Sequence, residues 1–148
     1  MSISQTATTS FKIELMQAQH NFGPVSANTF KIALYTALSS IGPATTVYTT
    51  TDEVVGSGYT AGGNILVISV TPTAGNNTSG IPTAYISFDD SVWSNATFVT
   101  RGALIYNATN GNKSVAVLDF GSDKTANNNT FQITFPTANA SNAIVRIS

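Results

Sequence analysis

From residue 28 onward the apolar residues recur with a period of two, in short runs broken by Gly, Pro, Asn and Thr-rich stretches. That pattern restricts the chain to strands. Side chains alternate between the two faces of an extended backbone, so only every second one reaches a given core. Phe30, Ile32 and Leu34 fall on one face, and Lys31, Ala33 and Tyr35 on the other. Further runs occupy 65–70 (ILVISV), 83–88 (TAYISF), 96–106 (ATFVTRGALIY), 114–120 (SVAVLDF), 130–135 (TFQITF) and 142–147 (NAIVRI). With a short strand near Val47-Tyr48 and a weak one over 54–60, the total is about eight strands. Closely spaced strands with turn signals between them predict an antiparallel β-sandwich, jelly-roll or immunoglobulin-like.

The connections follow from composition. Residues 39–53 are Thr-rich and carry Gly42-Pro43, which predicts a long loop. Gly62-Gly63 reads as a turn, TPTAGNNTSGIP (71–82) as a loop and GSDKTANNN (121–129) as another turn. Asn110-Gly111, between two strand runs, is the strongest hairpin signal in the chain. ILVISV is apolar on both faces, which predicts a central strand. Pro136 ends the strand before it.

The first residues differ. Residues 1–10 are rich in Ser and Thr and read as a flexible arm. Beyond them Phe11, Leu15, Ala18 and Phe22 form one apolar stripe at helical spacing, predicting a helix over 11–22. Ser10 is its expected N-cap, Glu14 sits in its expected first turn, and Gly23-Pro24 stops it. The reciprocal capping box is missing, because Ile13 holds the N3 position. A helix this short is marginal alone and must dock. The predicted organisation is a single sandwich domain over 11–148 that includes this helix.

The chain has 148 residues, enough for one domain without staples, and no cysteine, which excludes disulfides. Only 9% of residues are charged and the net charge is −1, against about 25% charged residues in a typical soluble domain. Disorder does not explain this, since 42% of residues are hydrophobic. The surface must be covered by Thr, Ser, Asn and Gly, and such a surface repels copies of itself weakly. Lys12, Lys31, Arg101, Lys113, Lys124 and Arg146 are scattered, so no nucleic-acid partner is expected. No apolar run reaches membrane-spanning length, so no membrane partner is expected either. The polar N-terminus is not expected to act as a secretory signal.

Candidate chemistry is sparse. His20 is the single histidine, and no nucleophile motif surrounds it. It is expected to cap the helix end or to meet a neighbour. Asp89-Asp90 would point to opposite faces of a strand and are expected to bind backbone amides in a turn. A calcium site would need several oxygen ligands, and the D-x-D-x-D-G loop is absent. Asp119-Phe-Gly has the letters of a kinase motif without its companions. Gly56 and Gly58 lack the Lys-Ser/Thr of a phosphate loop and read as bulge or turn glycines. The N-x-S/T triplets at Asn77, Asn95, Asn107 and Asn139 follow from Asn-rich composition. Trp93 and Tyr35, Tyr48, Tyr59, Tyr85 and Tyr106 could stack on sugars, but in a sandwich such residues more often build the core. No catalytic residue, cofactor or metal is expected.

The order of features is itself distinctive. FKIELMQAQHNF precedes NTFKIALYTALSSIG, then come EVVGSGYTAGG, FDDSVW, RGALIYNATNGNKSVAVLDFGSDKT and a terminal NAIVRI. From residue 10 onward this resembles the small virion structural proteins of tailed bacteriophages. The most distinctive pieces are FKIALYT, GSGYTAGG and RGALIYN, none of them catalytic. The resemblance implies a many-copy, non-enzymatic component assembled in the host cytoplasm onto the particle. The first reading is a capsid decoration or cement protein bound to the major capsid protein. The alternative is a tail or fibre component that binds host-surface glycans. Closed symmetry predicts a homo-oligomer, read as a trimer. Phe11, Leu15, Ala18, His20 and Phe22 are the expected interface. The alternative for this helix is that it covers its own sandwich.

Overall fold

A computed structural model describes residues 2–148. Strands and one helix follow in the order β1 (Thr6–Ala7), α1 (Thr9–Met16), β2 (Phe30–Tyr35), β3 (Asn64–Leu66), β4 (Ile68–Asn76), β5 (Pro82–Phe88), β6 (Ser91–Asn107), β7 (Lys113–Ile133) and β8 (Val145–Ile147). They form two antiparallel sheets, a five-stranded one ordered β1-β7-β6-β2-β3 and a three-stranded one ordered β4-β5-β8. The fold is a mainly β, two-sheet sandwich with one short helix, as the period-two pattern requires.

Alternation in β2 explains the core. Phe30, Ile32 and Leu34 join Ile86 and Phe88 of the second sheet in the main apolar cluster. Ala33 and Tyr35, on the opposite face, are buried too, in a second cluster with Ile3, Ile41, Leu104 and Tyr106. The five-stranded sheet is therefore covered on both faces, on one by the second sheet and α1 and on the other by the long loop after β2 and the N-terminal segment.

Several expectations change. Residues 2–10 do not stand off as an arm: Ile3 is buried, Thr6 and Ala7 pair with Val117 and Ala116, and Thr8 is fully buried. The helix spans Thr9–Met16 rather than 11–22, and its N-cap is Thr8, not Ser10, with Thr8 Oγ1 accepting from Phe11 N at 3.3 Å. Thr8 wins because its hydroxyl also meets Ser114 Oγ at 2.8 Å, a tertiary contact that local sequence does not reveal. With Thr8 as cap, Glu14 leaves the first turn. Ala18, at φ 58°, lies beyond the helix end and is exposed, so it leaves the stripe.

The run 65–70 is not a central strand. It divides at Val67 between β3 and β4, where the chain crosses from one sheet to the other, and Val67 O accepts from Asp89 N at 2.9 Å. Its apolar residues do not all turn inward: Leu66 is buried, whereas Ile65 and Val67 are exposed. The 71–82 stretch is a strand as far as Asn76, because β5 offers a ladder from Phe88 to Pro82. The 121–129 stretch is likewise not a turn. It continues β7 against Ala96–Thr100, with the poor strand formers accommodated by register shifts and by positive φ at Gly121 and Asn128. Residues 54–60 form no strand, only a bridge from Ser57 to Thr97, and Val47 bridges to Lys113. The β6–β7 hairpin stands, with positive φ on Gly111 and Asn112 rather than on Asn110.

Candidate functional site

Two buried polar networks carry most of the chemistry in this chain. The first lies where α1 and the segment after it meet the β6–β7 hairpin. Asn107, the last residue of β6, is fully buried. Its Oδ1 accepts from Thr109 N at 3.1 Å and Asn110 N at 3.2 Å, which fixes which end of the amide is oxygen. Its Nδ2 therefore donates, to Asn28 Oδ1 at 2.8 Å and His20 Nδ1 at 3.1 Å, with Gln19 O at 3.4 Å. An accepting Nδ1 makes His20 the Nε2–H tautomer, and Nε2 donates to Glu14 Oε2 at 2.9 Å. The other Glu14 oxygen meets Lys113 Nζ at 3.4 Å. The His20 side chain is 0% exposed. Both ring nitrogens are engaged, so neither is presented to a substrate.

The second network pins the long loop over the five-stranded sheet. Glu53 is buried and accepts from Tyr48 Oη at 2.7 Å, Tyr59 Oη at 2.6 Å and Gly62 N at 2.7 Å. A buried carboxylate is tolerated when its lone pairs are filled this way. Tyr59 Oη also accepts from Leu34 N at 2.9 Å, and Tyr106 Oη donates to Gly62 O at 2.7 Å. The Tyr48 and Tyr106 rings stack 4.7 Å apart. Burial raises the hydroxyl pKa of Tyr48, Tyr59 and Tyr106, followed by the hydrogen bond to Glu53 at Tyr48 and Tyr59 and by the Glu53 charge at Tyr106, which is pushed up to about 12. Tyr35 is raised chiefly by burial.

The expected interface residues separate. Phe11 (1% exposed), His20 and Phe22 come together inside the chain's own core, with Phe11 5.0 Å from His20 and 6.2 Å from Phe22 between ring centroids. Leu15 packs at the edge of that cluster. The outer side of the helix instead carries Ile13 and Met16, the latter 83% exposed. Phe11, His20 and Phe22 are thus corrected from partner contacts to core residues, for the reason given as the alternative: the helix covers its own sandwich.

Other candidates resolve locally. Asp90 accepts from Phe135 N at 2.9 Å and Gln132 Nε2 at 3.0 Å, so it binds the backbone as expected. Arg101 meets Asp123 at 3.3 Å and Asp119 at 3.9 Å, a surface triad in which Asp119 makes a salt bridge. Trp93 is 3% exposed and Tyr35 and Tyr106 are buried, so these rings do not offer a face to sugars. Among the described residues no group of three or more His, Asp and Glu could hold a metal ion. Among them, too, no helix is long and apolar enough to cross a membrane.

Glu53 was not singled out from sequence, and Glu14, Tyr59 and Asn107 were read there only as a first-turn acid, a ring that could stack on sugars and a triplet arising from composition. One signal was present: a lone Glu between two tyrosines, in a chain with only seven acidic residues. Asn107 had none, since its partners lie up to 88 residues away. No family model, no curated protein and no solved structure matches the chain.

Proposed function

We propose that this chain is a non-enzymatic structural component of a bacteriophage particle, in the first place a capsid decoration or cement protein seated on the major capsid protein. One observation carries the reading: a two-sheet antiparallel fold whose outward surface is uncharged over long stretches. The outer half of β7 runs Thr125–Thr130 without a charge, and the exposed side of α1 presents Ile13 and Met16. A surface of this kind dehydrates at little electrostatic cost and does not repel a second copy. It suits a protein packed among neighbours. Self-association as a homo-oligomer, a trimer by the symmetry of capsid positions, belongs to the same proposal. The glycan-binding alternative has less to rest on, because three of the six rings that motivated it, Trp93, Tyr35 and Tyr106, are buried.

Cryo-electron microscopy of the particle encoded together with this chain tests the proposal. The expected result is repeated density of this sandwich on the outside of the head. Absence of the chain from purified particles by mass spectrometry would sink it. Location on the tail would move the reading to the tail-component alternative.

A further inference from the structure

The hairpin turn between β6 and β7 holds a reactive dipeptide at a structural tether. Asn110 and Gly111 lie in the turn over 108–112. Gly111 is exposed, has φ +63°, and nothing lies within 4 Å of where a Cβ would be, so water reaches it freely. Among the described residues its backbone N–H enters no hydrogen bond. The amide nitrogen is therefore held by no acceptor and is free to lose its proton. Asn110 Oδ1 is likewise without a partner, while Asn110 Nδ2 donates to Gln19 O. The two other asparagines of this region differ. Asn107 is fully buried with both ends of its amide committed, and Asn112 is followed by the bulky Lys113.

We propose that Asn110 is a self-modification site whose conversion releases the segment 17–29 from the sandwich. Gly111 N bonds to Asn110 Cγ, the Cγ–Nδ2 bond breaks, and ammonia leaves carrying the proton from the Gly111 amide. Water then opens the five-membered imide at either carbonyl, leaving aspartate or isoaspartate at position 110. No oxidant or other co-reactant is needed. The product has lost the Asn110 donor, which leaves Gln19 O only the longer bond from Asn107 Nδ2 at 3.4 Å. It sets a carboxylate against that carbonyl oxygen, and the isoaspartate form lengthens the turn backbone by one carbon. The remaining ties between hairpin and segment are Asn107 to Asn28, His20 and Gln19 O, Thr29 N to Thr109 Oγ1 at 2.8 Å and Ala108 N to Thr29 O at 2.8 Å. Ala108 and Thr109 lie in the turn, and Asn107, just before it, accepts from Thr109 N and Asn110 N, so a change at Asn110 strains every one. The ring of His20 and the ring of Phe22 are carried by the segment that loosens.

The test is ageing of the full-length protein in mildly alkaline buffer, followed by tryptic mapping and hydrogen exchange. The peptide 102–113 should gain the mass of an amide-to-acid change at Asn110 and split into two isomeric peaks. Exchange in residues 17–29 should rise in step with conversion. Asn110→Gln should stay unmodified, and Asn110→Asp should show the faster exchange without ageing. The proposal is overturned if the folded protein keeps its amide while the free synthetic peptide 102–113 converts. It is equally overturned if Asn110→Asp exchanges like the parent protein over 17–29.

Discussion

Asn107 Nδ2 lies 3.1 Å from His20 Nδ1, a hydrogen bond that spans 87 positions of the chain and joins the end of β6 to the segment behind α1. Removing that amide strips partners from His20, Asn28 and two backbone N–H groups of the hairpin turn at once. Asn107→Ala should therefore lower the unfolding free energy by about 2–4 kcal/mol, given roughly 1–3 kcal/mol for each buried polar group left unpaired. Urea denaturation measures this. A loss below half a kilocalorie would mean that water replaces the whole network.

Glu53 holds three donors, and a glutamine there can accept from only part of them while turning an amide toward the rest. Glu53→Gln should cost about 2 kcal/mol, because charge-assisted bonds are roughly twice as strong as neutral ones. Limited proteolysis should then cut the loop between β2 and β3 faster, while cleavage in the β6–β7 hairpin stays unchanged.

The raised tyrosine pKa values predict an alkaline limit to stability. An unfolded tyrosine ionises near the ordinary value of 10.0, whereas Tyr106 in the fold is pushed up to about 12 and Tyr48 and Tyr59 are also raised. The stabilisation is full below the unfolded value, where the hydroxyl is neutral in both states. It is lost as pH rises from there through the folded values, because the unfolded chain releases protons first. Thermal melting should fall steadily above about pH 10. Tyrosinate absorbance at that pH should show these hydroxyls still protonated in the folded protein.

Two glycines with positive φ make a controlled pair. A Cβ on Gly63 (φ +70°) would collide with the carbonyl oxygen of Ile32, whereas one on Gly111 (φ +63°) would meet open space. Gly111→Ala should cost only the left-handed penalty of about 1–2 kcal/mol. Gly63→Ala should exceed about 4 kcal/mol or fail to fold, since backbone must move. Circular dichroism melts of the two variants compare them directly.

The helix offers a second controlled pair, on its inner and outer sides. Phe11→Ala should cost about 3–5 kcal/mol, as for a fully buried aromatic ring. Met16→Ala should change stability by no more than about 0.5 kcal/mol. Deleting residues 1–23 should leave a chain that does not fold, because Phe11 and Phe22 are part of the main cluster. Equal effects of Phe11→Ala and Met16→Ala would place the helix differently from the arrangement seen here.

The legible parts of the chain were those in which a local rule and the tertiary contacts agree. Phe30, Ile32 and Leu34 share a face because the pleat makes them do so, whatever packs against them. Asn110-Gly111 marks the turn because positive φ is cheap at Gly111. Residues 121–129 misled, since their Asn-rich composition favours a turn while the ladder offered by β6 holds the stretch extended. ILVISV misled for a related reason: an apolar run does not say which of two sheets its halves will join. The candidate site was legible only as separate residues. His20 stood out by being unique, but its meeting with Asn107 and Glu14 was not written in any spacing.

The sequence by itself determined the class of fold, the absence of disulfides and a surface almost without charge, because these depend on periodicity and composition alone. Only the tertiary structure decided that Thr8 caps the helix, that Phe11, His20 and Phe22 face inward, and that Glu53 gathers its tyrosines. Those outcomes turn on contacts between residues far apart in the chain, whose energies exceed the few tenths of a kilocalorie by which local preferences differ.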